Sequence, residues 1–178
     1  ITDVTQATGL LETANMLAKG GVTDITTSVD ILTTAINSYA GSGLTAAQSS
    51  DILFAGVVAG KTTITELASA IGRIAPMAAQ MGVSFEDIVA ATSALTKGGM
   101  STAESVTALR GVMRAVLKPT SEAAKAAEEM GLQFNTAAFE SKNLVEFLDD
   151  VANKTGGSSD AMAQLFTDTE GLIGVMSL

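Results

Sequence analysis

The chain has 178 residues, 47% of them hydrophobic but only 4% aromatic, and a formal net charge of −9. It contains no Cys and no His, which excludes disulfides, thiolate metal sites and thiol nucleophiles, and removes the commonest general base and transition-metal ligand. The acidic balance is repelled by phosphate backbones and argues against sequence-independent nucleic-acid binding; residues 120–178 alone carry ten acids against three bases.

Six Phe, one Tyr, no Trp and two Pro leave a core to be assembled from Ala, Leu, Ile, Val and Met, with few large anchors. Such a composition reads as helical. Apolar residues recur at helical spacing almost throughout, and the predicted helices in chain order are 3–18, 24–40, 45–60, 64–81, 85–97, 102–117, 121–130, 144–154 and 159–166, with one more at 170–177. The 24–40 helix carries the stripe Ile25, Val29, Leu32, Ile36 and Tyr39. The 64–81 helix carries Ile64, Leu67, Ile71 and Ile74, and Pro76 predicts a kink in it by removing a donor and crowding the Gly72 carbonyl. Phe85, Ile88, Val89 and Leu95 follow, then Val106, Leu109, Met113, Val116 and Leu117, and last Leu144, Phe147, Leu148 and Val151. Residues 132–142 lack a helical period, and Leu132-Gln133-Phe134 suits a short extended stretch. The expected fold class is all-α: a compact bundle of about 8–10 helices joined by Gly-rich turns.

Helix starts are clearly marked. Thr45…Gln48, Thr63…Glu66 and Ser101…Glu104 have the form of capping boxes, and Ser84…Asp87 approximates one. Glycines mark the stops, among them Gly20-Gly21, Gly43, Gly82, Gly98-Gly99, Gly131 and Gly156-Gly157. Leu17-Ala18-Lys19-Gly20-Gly21-Val22-Thr23 parallels Leu95-Thr96-Lys97-Gly98-Gly99-Met100-Ser101. Each segment reads as a helix end, a glycine turn, a buried apolar residue and a hydroxyl cap. The parallel fits either a duplicated hairpin or the common grammar of helical turns. We expect one helical domain over 1–178, with a candidate sub-boundary near 119–120. It begins at Ile1, has no basic-then-apolar leader, and reads as a piece of a longer polypeptide. The longest apolar run, nine residues from Ile52 to Gly60, falls well short of the roughly 20 that a bilayer span requires.

Three groups invite a chemical reading. Glu146, Asp149 and Asp150 share one helix at spacings suited to a hard cation or an acid/base pair, but they lie opposite the Leu144/Phe147/Leu148/Val151 stripe, where a solvated face belongs. Arg110, Arg114 and Lys118 recur at i, i+4 and i+8. That stripe either meets a phosphate or an acidic partner, or simply opposes the negative end of its helix dipole. Gly41-Ser42-Gly43 and Gly156-Gly157-Ser158-Ser159 lack the strand and Lys of a phosphate loop and read as turns. The sequence therefore predicts no catalytic residue, no cofactor and no metal.

One order of elements is specific. Met81-Gly82-Val83-Ser84-Phe85-Glu86-Asp87-Ile88-Val89-Ala90-Ala91 opens a helix, and Ala94-Leu95-Thr96-Lys97-Gly98-Gly99-Met100-Ser101 ends it. Ala108-Leu109-Arg110, Leu117-Lys118-Pro119-Thr120-Ser121-Glu122-Ala123 and Met130-Gly131-Leu132 follow. This order resembles the core region of tape measure proteins of long-tailed phages and prophages, over roughly residues 5–155. After Asp160 the chain departs from the family, with Phe166-Thr167-Asp168 where a Phe-Gly turn often stands. The resemblance implies a non-catalytic structural segment of a protein that sets tail length during assembly and leaves the tube at genome ejection. It implies as partners the tail tube protein, tail assembly chaperones, tip or baseplate proteins and other tape measure chains. Its implied location is the lumen of the virion tail, with the host cytoplasm during assembly. The alternative is a membrane-active helical module aiding genome passage across the host envelope, with Leu44–Gly60 and Ile64–Met81 as its insertion element.

Overall fold

A computed structural model describes residues 4–166 and Gly171. The described elements are helical: α1 (Val4–Gly20), α2 (Ile25–Ser38), a 3-10 turn (Ala40–Ser42), α3 (Ala46–Ala59), α4 (Ile64–Ile71), α5 (Ala75–Gln80), α6 (Phe85–Lys97), α7 (Thr102–Leu117), α8 (Ser121–Glu129), α9 (Ala138–Ser141), α10 (Leu144–Thr155) and α11 (Ser159–Leu165). The all-α expectation holds. The helix expected at 170–177 lies outside the described residues.

The caps start the helices where the sequence marks them. Thr45, Thr63, Ser84 and Ser101 each accept from the N3 backbone N–H, and the side chains of Gln48, Glu66, Asp87 and Glu104 accept from the cap N–H in return. Asn143 and Glu146 form a fifth box at the start of α10. Gly156 closes α10 in the left-handed conformation at φ 61°, which costs a glycine little.

Several expectations are corrected. The 64–81 segment is not one kinked helix. α4 stops at Ile71, the Ile74 N–H bonds back to the Ile71 carbonyl at 3.0 Å, and Pro76 stands in the first turn of α5. Proline has no N–H to offer the Gly72 carbonyl, but in a first turn that donor has no helical partner to lose. The buried face of α2 is Ser28, Ile31, Leu32 and Ala35, with Ile25 47% exposed. Ser28 tolerates burial because its hydroxyl donates to the Asp24 carbonyl at 3.1 Å. Leu117, expected in the α7 stripe, is 54% exposed. Within 132–142 a short helix, α9, forms, while Leu132 and Phe134 are buried on either side of exposed Gln133.

The parallel between the two Lys-Gly-Gly turns also loosens. Ser101 caps α7, but Asp24, not Thr23, caps α2, and the Thr23 hydroxyl instead meets Thr65 Oγ1 at 2.8 Å. Val22 is 91% exposed at φ 51°, an unfavourable conformation for a β-branched residue.

One apolar cluster runs from Leu10 to Phe166, and α6 is its hub, packing on α3, α5, α7 and α10. Gly56 of α3 lies against Val89 and Ser93 of α6, and Gly60 lies against Ser93 and Thr96. Both sets of numbers rise together, so α3 and α6 run in the same direction. Gly56 is what allows this approach: a Cβ there would lie 2.4 Å from Val89 Cγ1. The large anchors gather elsewhere. Phe134, Phe139, Phe147 and Phe166 form a chain of ring contacts with centroids 5.1–6.2 Å apart, tying the segment after α8 to α10 and α11.

Candidate functional site

The carboxylates of α10 are separated by their duties. Glu146 accepts from the Asn143 N–H as part of its capping box, Lys142 donates to Asp150 at 2.6 Å, and Asp149 is exposed. Among the described residues no group of three or more acidic side chains is placed to hold a metal ion. The solvated-face reading fits this arrangement.

Arg110, Arg114 and Lys118 follow one another along α7 to its C-terminal end. Arg110 and Arg114 lie on α7, whereas Lys118 is its C-cap, with an extended φ of −142° and its N–H bonded to the Arg114 carbonyl. Arg110 is half-buried, and its Nε has no hydrogen-bond partner among the described residues; Arg114 and Lys118 are exposed.

Tyr39 is the one phenol. It is 6% exposed, donates to the Val83 carbonyl at 3.0 Å and meets the Phe85 ring edge-on at 5.7 Å. Burial pushes its ionisation far above the ordinary range, and the nearby Asp87 charge pushes in the same direction. It therefore acts as a neutral donor that fixes α2 to the turn before α6.

A polar seam joins the α3–α4 corner to α6 and α7, and its hydroxyls went unread in the sequence. Ser93 donates at 2.9 Å to the Gly56 carbonyl. Thr96 Oγ1 accepts from the Lys61 N–H at 3.1 Å, and Thr62 and Thr102 share a hydrogen bond of 2.7 Å. The available signal was that Ser93 and Thr96 fall on the apolar register of α6. These hydroxyls are bonded to backbone groups and to one another, Thr62 also to the Glu66 carboxylate at 3.4 Å, and among the described residues no carboxylate or amine is hydrogen-bonded to Ser93 or Thr96 to activate them as nucleophiles. Chemically the seam is a fastening.

Comparison with known proteins assigns the chain to a family. A family model for phage-related minor tail proteins matches residues 2–169. The chain belongs to that family. A tape measure protein of Pneumococcus phage Dp-1 is 26% identical over 132 residues, covering 72% of this chain and 11% of the relative. The minor tail protein chain thus spans a small part of that relative's length. No solved structure matches. The resemblance to the tape measure core region, read from residues 81–132, lies within the matched segment. Membership of the minor tail protein family relates the chain to the phage tail.

Proposed function

We propose that this minor tail protein chain is one helical unit of a much longer tape measure polypeptide. It helps set tail length during assembly, without catalysis, and leaves the tube at genome ejection. The observation that carries this reading is the tape measure relative matched over most of the chain but over only 11% of its own length. The tail tube protein, tail assembly chaperones and tip or baseplate proteins are the proposed partners, and Arg110, Arg114 and Lys118 are the proposed contact for an acidic one.

The test is in-frame removal of these residues from the full-length gene, with tail length measured by electron microscopy. Drawn out as continuous helix, 178 residues span about 270 Å; as a compact unit they measure roughly 40 Å across. A shortening within that range supports length-setting and reports the state in the tube. Tails of unchanged length would overturn it.

The second reading, membrane activity during ejection, rests on one feature. Among the described residues no single helix is long and apolar enough to cross a membrane, but α3 and α4 together meet that composition across a 115° bend. The polar seam fastens this same corner. Dye release from liposomes by the 178-residue chain, abolished by a charge introduced at Leu53, would favour this reading; intact liposomes at neutral and acidic pH would dismiss it.

A further inference from the structure

Two cavities adjoin along the outer side of the α3–α6 contact. The larger, about 520 Å³, reaches from Leu44 past the Tyr39 and Phe85 rings; the smaller, about 340 Å³, runs along Ala55, Ala59 and Ala90. They share Asp51, Ile52 and Glu86 as walls, so the two carboxylates stand where the cavities meet.

The polar groups lining this groove are mostly bonded within the protein. Tyr39 donates to Val83, Ser42 to the Tyr39 carbonyl and Ser93 to Gly56, while Gln48 Oε1 and Ser84 Oγ serve the caps of α3 and α6. Asp51 and Glu86 differ. Both are exposed, and neither has a hydrogen-bond or ion-pair partner among the described residues beyond the backbone of its own helix. Among the described residues no Lys or Arg lines either cavity. The groove therefore offers apolar walls on both sides of an uncompensated pair of negative charges.

We propose that this groove docks an amphipathic helix of a partner protein, one that carries a Lys or Arg between two aliphatic side chains. α3 has 14 residues and is about 21 Å long, enough to support some four turns of a helix laid along it. Apolar residues at i and i+7 of that helix are separated by about 10 Å and enter the two cavities. A base at i+4, on the same face, meets Asp51 and Glu86. Helix-in-groove recognition of this kind takes its affinity from the apolar anchors and its selectivity from the charge.

The probe is a fluorescein-labelled helical peptide of about 15 residues, Ala- and Gln-based, with Leu, Lys and Leu at i, i+4 and i+7. A matched peptide carries Glu in place of Lys. Binding to the 178-residue chain is read by anisotropy, and its location by amide chemical shifts. Saturable binding of the Lys peptide is expected, with shifts centred on Ile52, Ala55, Val89 and Ala90. Asp51→Asn and Glu86→Gln each weaken it about two- to fivefold, the range for one exposed ion pair, and the Glu peptide binds worse still. Ala90→Trp, at an exposed position that fills the groove, abolishes binding while circular dichroism stays helical. No binding up to about 1 mM, a Kd above which affinity is negligible, would overturn the proposal. Equal affinity for the two peptides, or shifts confined to another face, would do the same. Self-association in sedimentation velocity that Ala90→Trp removes would also overturn it, because a second copy would then be the occupant.

Discussion

Gly56 provides the sharpest test of how the bundle is held. Replacing it with Ala adds one methyl at the α3–α6 crossing, 2.4 Å from Val89 Cγ1 and 3.2 Å from Ser93 Oγ, where carbon–carbon contacts are most favourable near 3.5–4.0 Å. Val89 is 1% exposed and β-branched, so it cannot rotate away cheaply. Two effects oppose each other. Ala in a helix interior gains about 1 kcal/mol over Gly, while overpacking costs about 1–3 kcal/mol. The net expectation is a loss of about 1 kcal/mol. Gly9, exposed within α1 with nothing within 4 Å of a built Cβ, isolates the first effect: Gly9→Ala gains about 0.5–1 kcal/mol. Urea denaturation of both variants separates propensity from packing, and thermal midpoints should move about 2–4 °C per kcal/mol for a chain of this size. Val89→Ala alone costs about 2 kcal/mol. The methyl of Gly56→Ala occupies part of the space it vacates, so the double variant should be at least about 1 kcal/mol more stable than the sum of the singles. Equal stabilisation by the two Gly→Ala changes, or additivity of the double within about 0.5 kcal/mol, would refute the close-contact account.

Val22→Asn relieves a strained, exposed β-branched residue and should stabilise by about 1 kcal/mol, read as a rise in thermal midpoint; a fall would mean that Val22 is held by a contact. Phe147→Ala breaks ring contacts to Phe134 and Phe139 and should cost about 3–5 kcal/mol. Hydrogen exchange should then rise first in α8 to α11, and a uniform rise would show that the aromatic cluster is not a separate source of stability. The Ser101 hydroxyl, and then its backbone N–H, hold the Glu104 carboxyl below its ordinary value. A depressed folded-state value contributes stability that is present above the unfolded value and lost as pH falls through the folded one. Ser101→Ala should therefore raise the Glu104 titration midpoint by NMR and flatten the acid limb of the stability curve below about pH 4.5, the ordinary glutamate range. An unmoved midpoint would contradict the cap assignment.

Helix existence and helix starts were legible because they depend on local chemistry. Thr45, Thr63, Ser84 and Ser101 needed only a residue three positions on, and Asn143…Glu146 carried the same signal unread. What stayed hidden depends on partners distant in sequence. Pro76 read as a kink because local rules do not say whether a helix will bend or break and restart. Ser28 and Ser93 stand on the apolar register of their helices without being apolar, and their burial depends on a carbonyl each hydroxyl can reach. The groove could not be read at all, since Asp51 and Glu86 become neighbours only when α3 and α6 pack side by side. The spacing of Arg110, Arg114 and Lys118 was legible, but that α7 ends at Leu117 with Lys118 as its cap was not.

Tyr39 is the only tyrosine in a chain without tryptophan, and it lines the groove beside α3. These 178 residues thus carry a single phenol, buried in the wall of that groove and remote in sequence from the four-ring phenylalanine cluster near the other end. Tyrosine absorbs at longer wavelength than phenylalanine, so that band reports on one neighbourhood alone and occupancy there can be followed without any attached dye.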